Sequence, residues 1–264
     1  MTARDPLFLF LTAWAASAVL MVVLWLIERR LKNLSIADVG WCYALALVLL
    51  WYAGSAPGEP ARRLLVALMV CLYALRLGTH VLVDRLWNRP EDGRYRALRL
   101  QWGAQGPTRR FWYFQLQATA VTFFSLPPLV VMQNPHPPFH FWDLIGLLWW
   151  GVAVTGETIA DRQLAAFRNK PWNNDRVCRI GLWRYSRHPN YFFEFLFWIG
   201  IFVASLTMPW GWLTVVCPLL MYYFLTKVTG IPLTEEYALK SKGEAYGRYQ
   251  QTTSAFVPWF RRNF

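Results

Sequence analysis

Charge is what this sequence has least of. Asp, Glu, Lys and Arg make up 16% of its 264 residues, where soluble domains carry about 25%. A soluble globular domain is therefore excluded, and so is a nucleic-acid binder, which needs a continuous charged surface. Disorder is excluded by the opposite excess, 56% hydrophobic residues. Cysteine is scarce and badly placed for a framework: Cys42, Cys71 and Cys217 lie in apolar runs and Cys178 in a basic loop, so neither a disulfide scaffold nor a CxxC metal site can form. The four histidines, His80, His136, His140 and His188, have no ligand spacing, and there is no HExxH. GxGxxG and GxxxxGK[ST] are missing too, so any nucleotide must be held without a Rossmann or P-loop cradle. No internal repeat or low-complexity tract is present.

What remains is long apolar helices. A crossing of the hydrocarbon core takes about 20 mostly apolar residues, and seven stretches qualify: Leu7–Ile27, Ile36–Ala56, Arg62–Val83, Phe111–Met132, Phe139–Ala160, Asn190–Met208 and Trp210–Ile231. They are apolar all round, whereas barrel strands alternate, so the expected fold is an all-α polytopic membrane protein of seven transmembrane helices. The first stretch is too long for a signal peptide and lacks a small-residue cleavage site. The last two, parted by little more than Pro209, read as a tight helical hairpin.

Lys and Arg outnumber Asp and Glu by 27 to 15, a net charge of +12. Loop 28–35 holds three of these cations, loops 84–110 and 161–189 seven each, and the tail 232–264 five. The other side has only Arg4, with Arg62 and Arg63 heading the third span. The positive-inside rule then puts the N-terminus outside and the C-terminus in the cytoplasm. No long small-xxx-small face stands out, so a monomer is expected.

Ionisable groups inside spans are costly and mark function more often than chance. Asp38, Arg76, Asp84, Glu157, Glu194 and Lys227 lie in spans or at their ends. Snorkelling explains Asp84, Glu157 and Lys227 equally well, and Asp38 could serve as a helix cap. Tyr73 precedes Arg76 by three residues and shares its helix face. A Tyr hydroxyl beside a cation and an acid can donate a proton, although a Tyr in a span also serves as an interfacial anchor.

The densest chemistry runs from 157 to 194. Its cations Arg162, Arg168, Lys170, Arg176, Arg179, Arg184 and Arg187 are interleaved with Asp161, Asn190, Glu194, Trp183, Tyr185 and Tyr191. A polybasic lipid contact accounts for the cations alone. A nucleotide accounts for the mixture: arginine forks for phosphate, carboxylates and amides for ribose or carboxamide, and rings for the base.

The run Gly181-Leu-Trp-Arg-Tyr-Ser-Arg-His-Pro-Asn-Tyr-Phe-Phe-Glu194, with Ala160-Asp-Arg-Gln163 before it, closely resembles the steroid 5α-reductase C-terminal family, most nearly its bacterial DUF1295 branch, and is similar to the sterol reductases. The tail, Glu235-Glu236 through Gly243-Glu-Ala-Tyr246 and Tyr249 to Pro258-Trp259, is in the same style. The likeness covers roughly residues 36–260 and is most specific between 157 and 198. It implies an integrated bundle in the bacterial inner membrane, opening to the cytoplasm. Residues 1–132 would form four helices around an apolar cavity, and 133–264 three helices, loops and tail that bind NADPH. The implied reaction is NADPH-dependent reduction of a carbon–carbon double bond conjugated to a ketone, in a steroid or sterol-like enone, with membrane lipid as the other partner and no nucleic acid.

The resemblance gives cofactor contacts to Asp161, Leu164, Arg168, Arg176, Arg179, Tyr185, Arg187, His188, Asn190, Tyr191, Glu194 and Glu235. In the third span it gives Tyr73 the role of donor to the substrate ketone, Arg76 a cofactor contact, and Asn88-Arg89 the Asn-Arg pair that follows. One feature departs from the pattern. Steroid 5α-reductases carry an adjacent Gln-Glu near the start of the second span, and here the nearest match is Ala37-Asp38. Asp38 keeps the acid with a shorter reach and would back Tyr73; the amide is gone, which bears on steroid as substrate more than on reduction.

A membrane methyltransferase of the isoprenylcysteine carboxyl or phospholipid type shares an Arg-His-Pro-x-Tyr turn and a Glu-Glu tail, matched here by Arg187-His-Pro-Asn-Tyr191 and Glu235-Glu236. It would bind S-adenosylmethionine. A lipid-binding scaffold or transporter is a third reading, but it has no need of the mixed acid, amide and arginine loop.

Overall fold

The computed structural model describes residues 5–87, 90–173 and 175–260. About 80% of the chain is helical, and the described residues contain no strand, only one parallel bridge between Ser186 and Ser254. The chain forms two compact units: the first runs to Leu144 and includes Phe202–Thr214, and the second is Ile145–Ile201 with Val215 onward.

The first unit holds α1 (Pro6–Leu31), α2 (Ile36–Ser55), α3 (Pro60–Val81), α4 (Gly93–Trp102), α5 (Gly106–Phe124) and α6 (Leu126–Val131). α1 starts where Asp5 accepts the Leu7 N–H at 2.9 Å, with Pro6 at its first position. It ends at Lys32 in the left-handed region. Its buried stripe, Leu9, Ala13, Ser17 and Met21, repeats every four residues. Leu11, Val19, Val23 and Leu26 stay exposed on other faces. Apolar surface on that scale requires lipid rather than water. α1 packs on α5, and α2 most extensively on α3. Tyr52 and Ser125, both buried, share a hydrogen bond of 3.1 Å.

The expected fourth span is broken. Pro127 and Pro128 cannot continue α5, so the helix closes at Ser125, whose hydroxyl donates to the Thr122 carbonyl at 2.7 Å, and α6 restarts beyond it. α3 loosens into a π-turn at Leu82–Leu86. At the other end of α3, Arg62 is 1% exposed. Its guanidinium forks onto the Asp143 carboxylate and donates to the carbonyls of His136 (2.9 Å) and Pro137 (2.7 Å). Arg63 donates to the carbonyls of Ala53 and Ala56 at the end of α2.

The second unit holds most of α7 (Phe141–Arg168), the body of α8 (Pro189–Ser205), α9 (Val216–Tyr223) and α10 (Ile231–Thr252). The expected last span is assembled from the 3-10 turn Gly211–Val215, α9 and a π-turn at Phe224–Val228. Pro218 in this stretch removes one backbone donor. Helices occupy all seven places read from the sequence. Among the described residues, five helical stretches are long and apolar enough to cross a membrane: Pro6–Leu31, Ile36–Ser55, Pro60–Leu86, Gly93–Val131 and Gly211–Thr252. Pro189–Ser205 is apolar but shorter.

Candidate functional site

In the first unit the chemistry gathers around Asp38, in the first turn of α2. Its carboxylate accepts a short hydrogen bond from the Tyr95 hydroxyl on α4. The Tyr95 and Tyr113 hydroxyls are 3.2 Å apart, and Gln117 Nε2 donates to Tyr113 at 2.9 Å. Arg85, in the π-turn, lies 3.9 Å from the other Asp38 oxygen and 3.8 Å from Asp92. Asp92 caps α4 by accepting the Arg94 N–H at 3.0 Å and also pairs with the Arg94 side chain. Burial alone would raise the Asp92 carboxyl; the charge and hydrogen bonds of Arg94, with Arg85, overcome this and hold it well below the usual carboxylate range.

Tyr73 is fully buried on α3, and the Arg76 guanidinium lies 5.8 Å over its ring, a cation–π contact across one helical turn. The Asp38 carboxylate, expected to back Tyr73, is engaged through one oxygen by Tyr95. Asn88 and Arg89 lie outside the described residues. Tyr95, Tyr113 and Gln117 went unread in the sequence; the one local signal was the i, i+4 spacing of Tyr113 and Gln117.

In the second unit, the loop after α7 folds back onto its helix. Gly181 is left-handed (φ 53), and a Cβ there would strike the Gln163 amide. Gln163 accepts the Leu182 N–H at 2.9 Å, and Trp183 Nε1 donates to the Ala160 carbonyl at 2.9 Å. The Ala160–Gln163 segment thus positions the 181–184 turn.

Arg187 is a hub. Its Nε and one terminal nitrogen fork onto Glu235, and the other terminal nitrogen donates to the carbonyls of Gln250 (2.8 Å) and Thr253 (2.6 Å). His188 lies 3.1 Å from the same carboxylate and stacks on Tyr191 at 5.3 Å. Gln250 and Tyr246 also donate to Glu235. Backbone bonds from Arg187 N to Ser254 O and from Trp259 N to Tyr185 O lay the tail along this turn. Arg187, His188, Tyr191 and Glu235, read as cofactor contacts, are therefore joined to one another and to the tail.

The remaining residues read as a cofactor set divide by exposure. Arg168 and Arg176 are exposed, Tyr185 is 39% exposed, and Leu164 is half-buried on α7. Arg179 donates to the Ala245 carbonyl at 2.9 Å and lies 5.2 Å over the Tyr249 ring. Asp161 is buried on α7. Asn190 and Glu194 follow each other by one turn in α8. The Asn190 Oδ1 is buried and meets no hydrogen-bond donor among the described residues. A buried acceptor left open in this way is unusual and calls for a donor from elsewhere. Burial pushes the Cys178 thiol up, so it is unsuited to nucleophilic work.

The long apolar helices, with lipid-facing surfaces and polar groups gathered at particular turns, define a multi-pass helical membrane protein. The model of the DUF1295 family, described as a protein of unknown function, matches residues 24–253, and the chain belongs to that family. No curated protein and no solved structure matches the chain.

Proposed function

We propose that this protein is an NADPH-dependent membrane reductase acting on a carbon–carbon double bond conjugated to a ketone, in a lipophilic substrate of the 3-oxo-Δ4-steroid kind. The observation that carries the reading is the buried, unmatched Asn190 Oδ1 in the segment that resembles the steroid 5α-reductases. A carboxamide N–H is a donor that would match such an acceptor. Exposed Arg168 and Arg176 supply what phosphates require. Asp161, Leu164, Arg179 and Glu194 complete the set that would hold the cofactor. The finer topology belongs to the same reading: seven spans, N-terminus outside, and a site opening to the cytoplasm of a bacterial inner membrane.

NADPH, when bound, supplies a hydride. The chain's own residues meet the charge that develops on the substrate. As the enone is reduced, negative charge gathers on the ketone oxygen, and the Tyr73 hydroxyl donates a hydrogen bond to it, a preorganised role in a site shut off from water. Arg76, over the Tyr73 ring, holds that side chain in place.

Two measurements test the proposal. Purified protein in detergent, titrated with NADPH, should show energy transfer from its 16 tryptophans. S-adenosylmethionine binding without any NADPH response would favour the methyltransferase reading and overturn this one. Using testosterone as the probe enone, Tyr73→Phe should slow reduction by roughly 100-fold, the scale of one lost oxyanion donor, with NADPH binding retained.

A further inference from the structure

The Gln117, Tyr113, Tyr95 and Asp38 side chains form one chain of hydrogen bonds, and its hydrogens can be counted. Each tyrosine hydroxyl has one hydrogen to give. Tyr95 gives its hydrogen to Asp38. The 3.2 Å contact between the two hydroxyls is then made by Tyr113 donating to Tyr95. The Gln117 amide in turn donates to Tyr113. Every hydrogen in the chain points toward the Asp38 carboxylate, and no hydroxyl hydrogen is left over for a ligand. Arg85, Arg94 and Asp92 are the charged groups that face Asp38, and Tyr95 and Tyr113 are the titratable hydroxyls.

One proton added at Asp38 reverses this polarity. The carboxyl then donates to Tyr95, Tyr95 donates to Tyr113, and the Tyr113 hydrogen is freed to leave. From this count we infer that the chain is a proton relay that ends at Tyr113 and supplies the α-carbon proton of the reduction, so the inference rests on the reductase reading. In the step, the Tyr113 O–H bond breaks as a C–H bond forms at the enolate α-carbon, and the enolate electron pair becomes that bond. Tyr113 recovers its hydrogen from Tyr95, and Tyr95 recovers its own from the Asp38 carboxyl. Asp38 is left as a carboxylate and regains a proton from water. With Asp38 ionised the chain is discharged, and with Asp38 protonated it is charged. Asp38 therefore serves proton supply through Tyr95, while Tyr73 separately steadies the oxyanion.

The decisive experiment is infrared difference spectroscopy of the intact protein, stepped in pH in H2O and D2O. In the wild type, the carboxyl C=O band of protonated Asp38 should rise together with a change in tyrosine C–O bands. Asp38→Asn should abolish both changes. Tyr95→Phe, which keeps the ring packing, should leave the carboxyl band and remove the Tyr113 response. Tyrosine bands that ignore Asp38→Asn overturn the relay. Tyr113→Phe should also slow NADPH-driven testosterone reduction at least tenfold with NADPH energy transfer unchanged, and reduction at the wild-type rate overturns the relay as well. Failure of the reductase reading is seen separately, as wild-type protein that gives no NADPH energy transfer while the coupled bands persist. Thermal unfolding of each variant confirms that the bundle is intact.

Discussion

Arg187 gathers a helix, a turn and a tail onto one guanidinium. Its side chain is 10% exposed and that of Glu235 is 12% exposed, so removing one partner strands the other's charge. Arg187→Met should lower stability by about 3–5 kcal/mol, the scale for breaking a buried pair, read as a fall in the thermal unfolding midpoint. Arg176→Ala, on an exposed side chain, should leave that midpoint unchanged and, under the proposed function, weaken NADPH binding. Residue type and position singled out Arg187 and Asp38 in the sequence, and the family resemblance singled out Glu235. They did not reveal what these residues bond to. Asp38 and Tyr95 are 57 positions apart and Arg187 and Glu235 are 48 apart, and apolar periodicity carries no information about pairing at that distance. Tyr95 and Tyr113 escaped notice because each looks like one more aromatic ring near a membrane interface.

Among the elements, the long apolar helices were legible because lipid demands about 20 apolar residues whatever the packing. Their interruptions were less so. The break at Ser125 was signalled by Pro127-Pro128, but the π-turns Leu82–Leu86 and Phe224–Val228 contain no proline themselves. α4 was hidden within a basic loop, and its start is set by the Asp92 cap and not by periodicity. The 181–184 turn offers a direct test at this scale. Gly181→Ala places a Cβ in a left-handed backbone and against the Gln163 amide. It should destabilise by about 1–3 kcal/mol and, under the proposed function, weaken NADPH binding by shifting the arginines that flank the turn. Equilibrium unfolding and NADPH titration read the two effects separately.

For the molecule as a whole, the distribution of charge does two jobs in the proposed function, orientation and phosphate recognition. Arg62 and Arg63, which counted against the positive-inside pattern, are occupied by Asp143 and by backbone carbonyls, so the surface asymmetry is sharper than the raw counts. Screening lengths shrink from about 10 Å at 0.1 M salt to about 3 Å at 1 M. The NADPH dissociation constant should therefore rise several-fold over that range, with a weaker salt dependence in Arg168→Ala and Arg176→Ala. The place of Phe202–Thr214 in the first unit was beyond the sequence, because it rests on three-dimensional contacts and not on neighbours along the chain.

The Arg62–Asp143 pair also bears on how the chain is made. Its members are 81 positions apart, so when α3 first reaches the membrane, Arg62 has neither its carboxylate nor the His136 and Pro137 carbonyls. The head of α3 must wait, with its guanidinium in water, until the start of α7 has left the ribosome. Insertion of this part of the bundle is then a delayed event, and a nascent chain stalled before Asp143 should hold α3 loosely enough for a protease or membrane-impermeant label to reach its first turn.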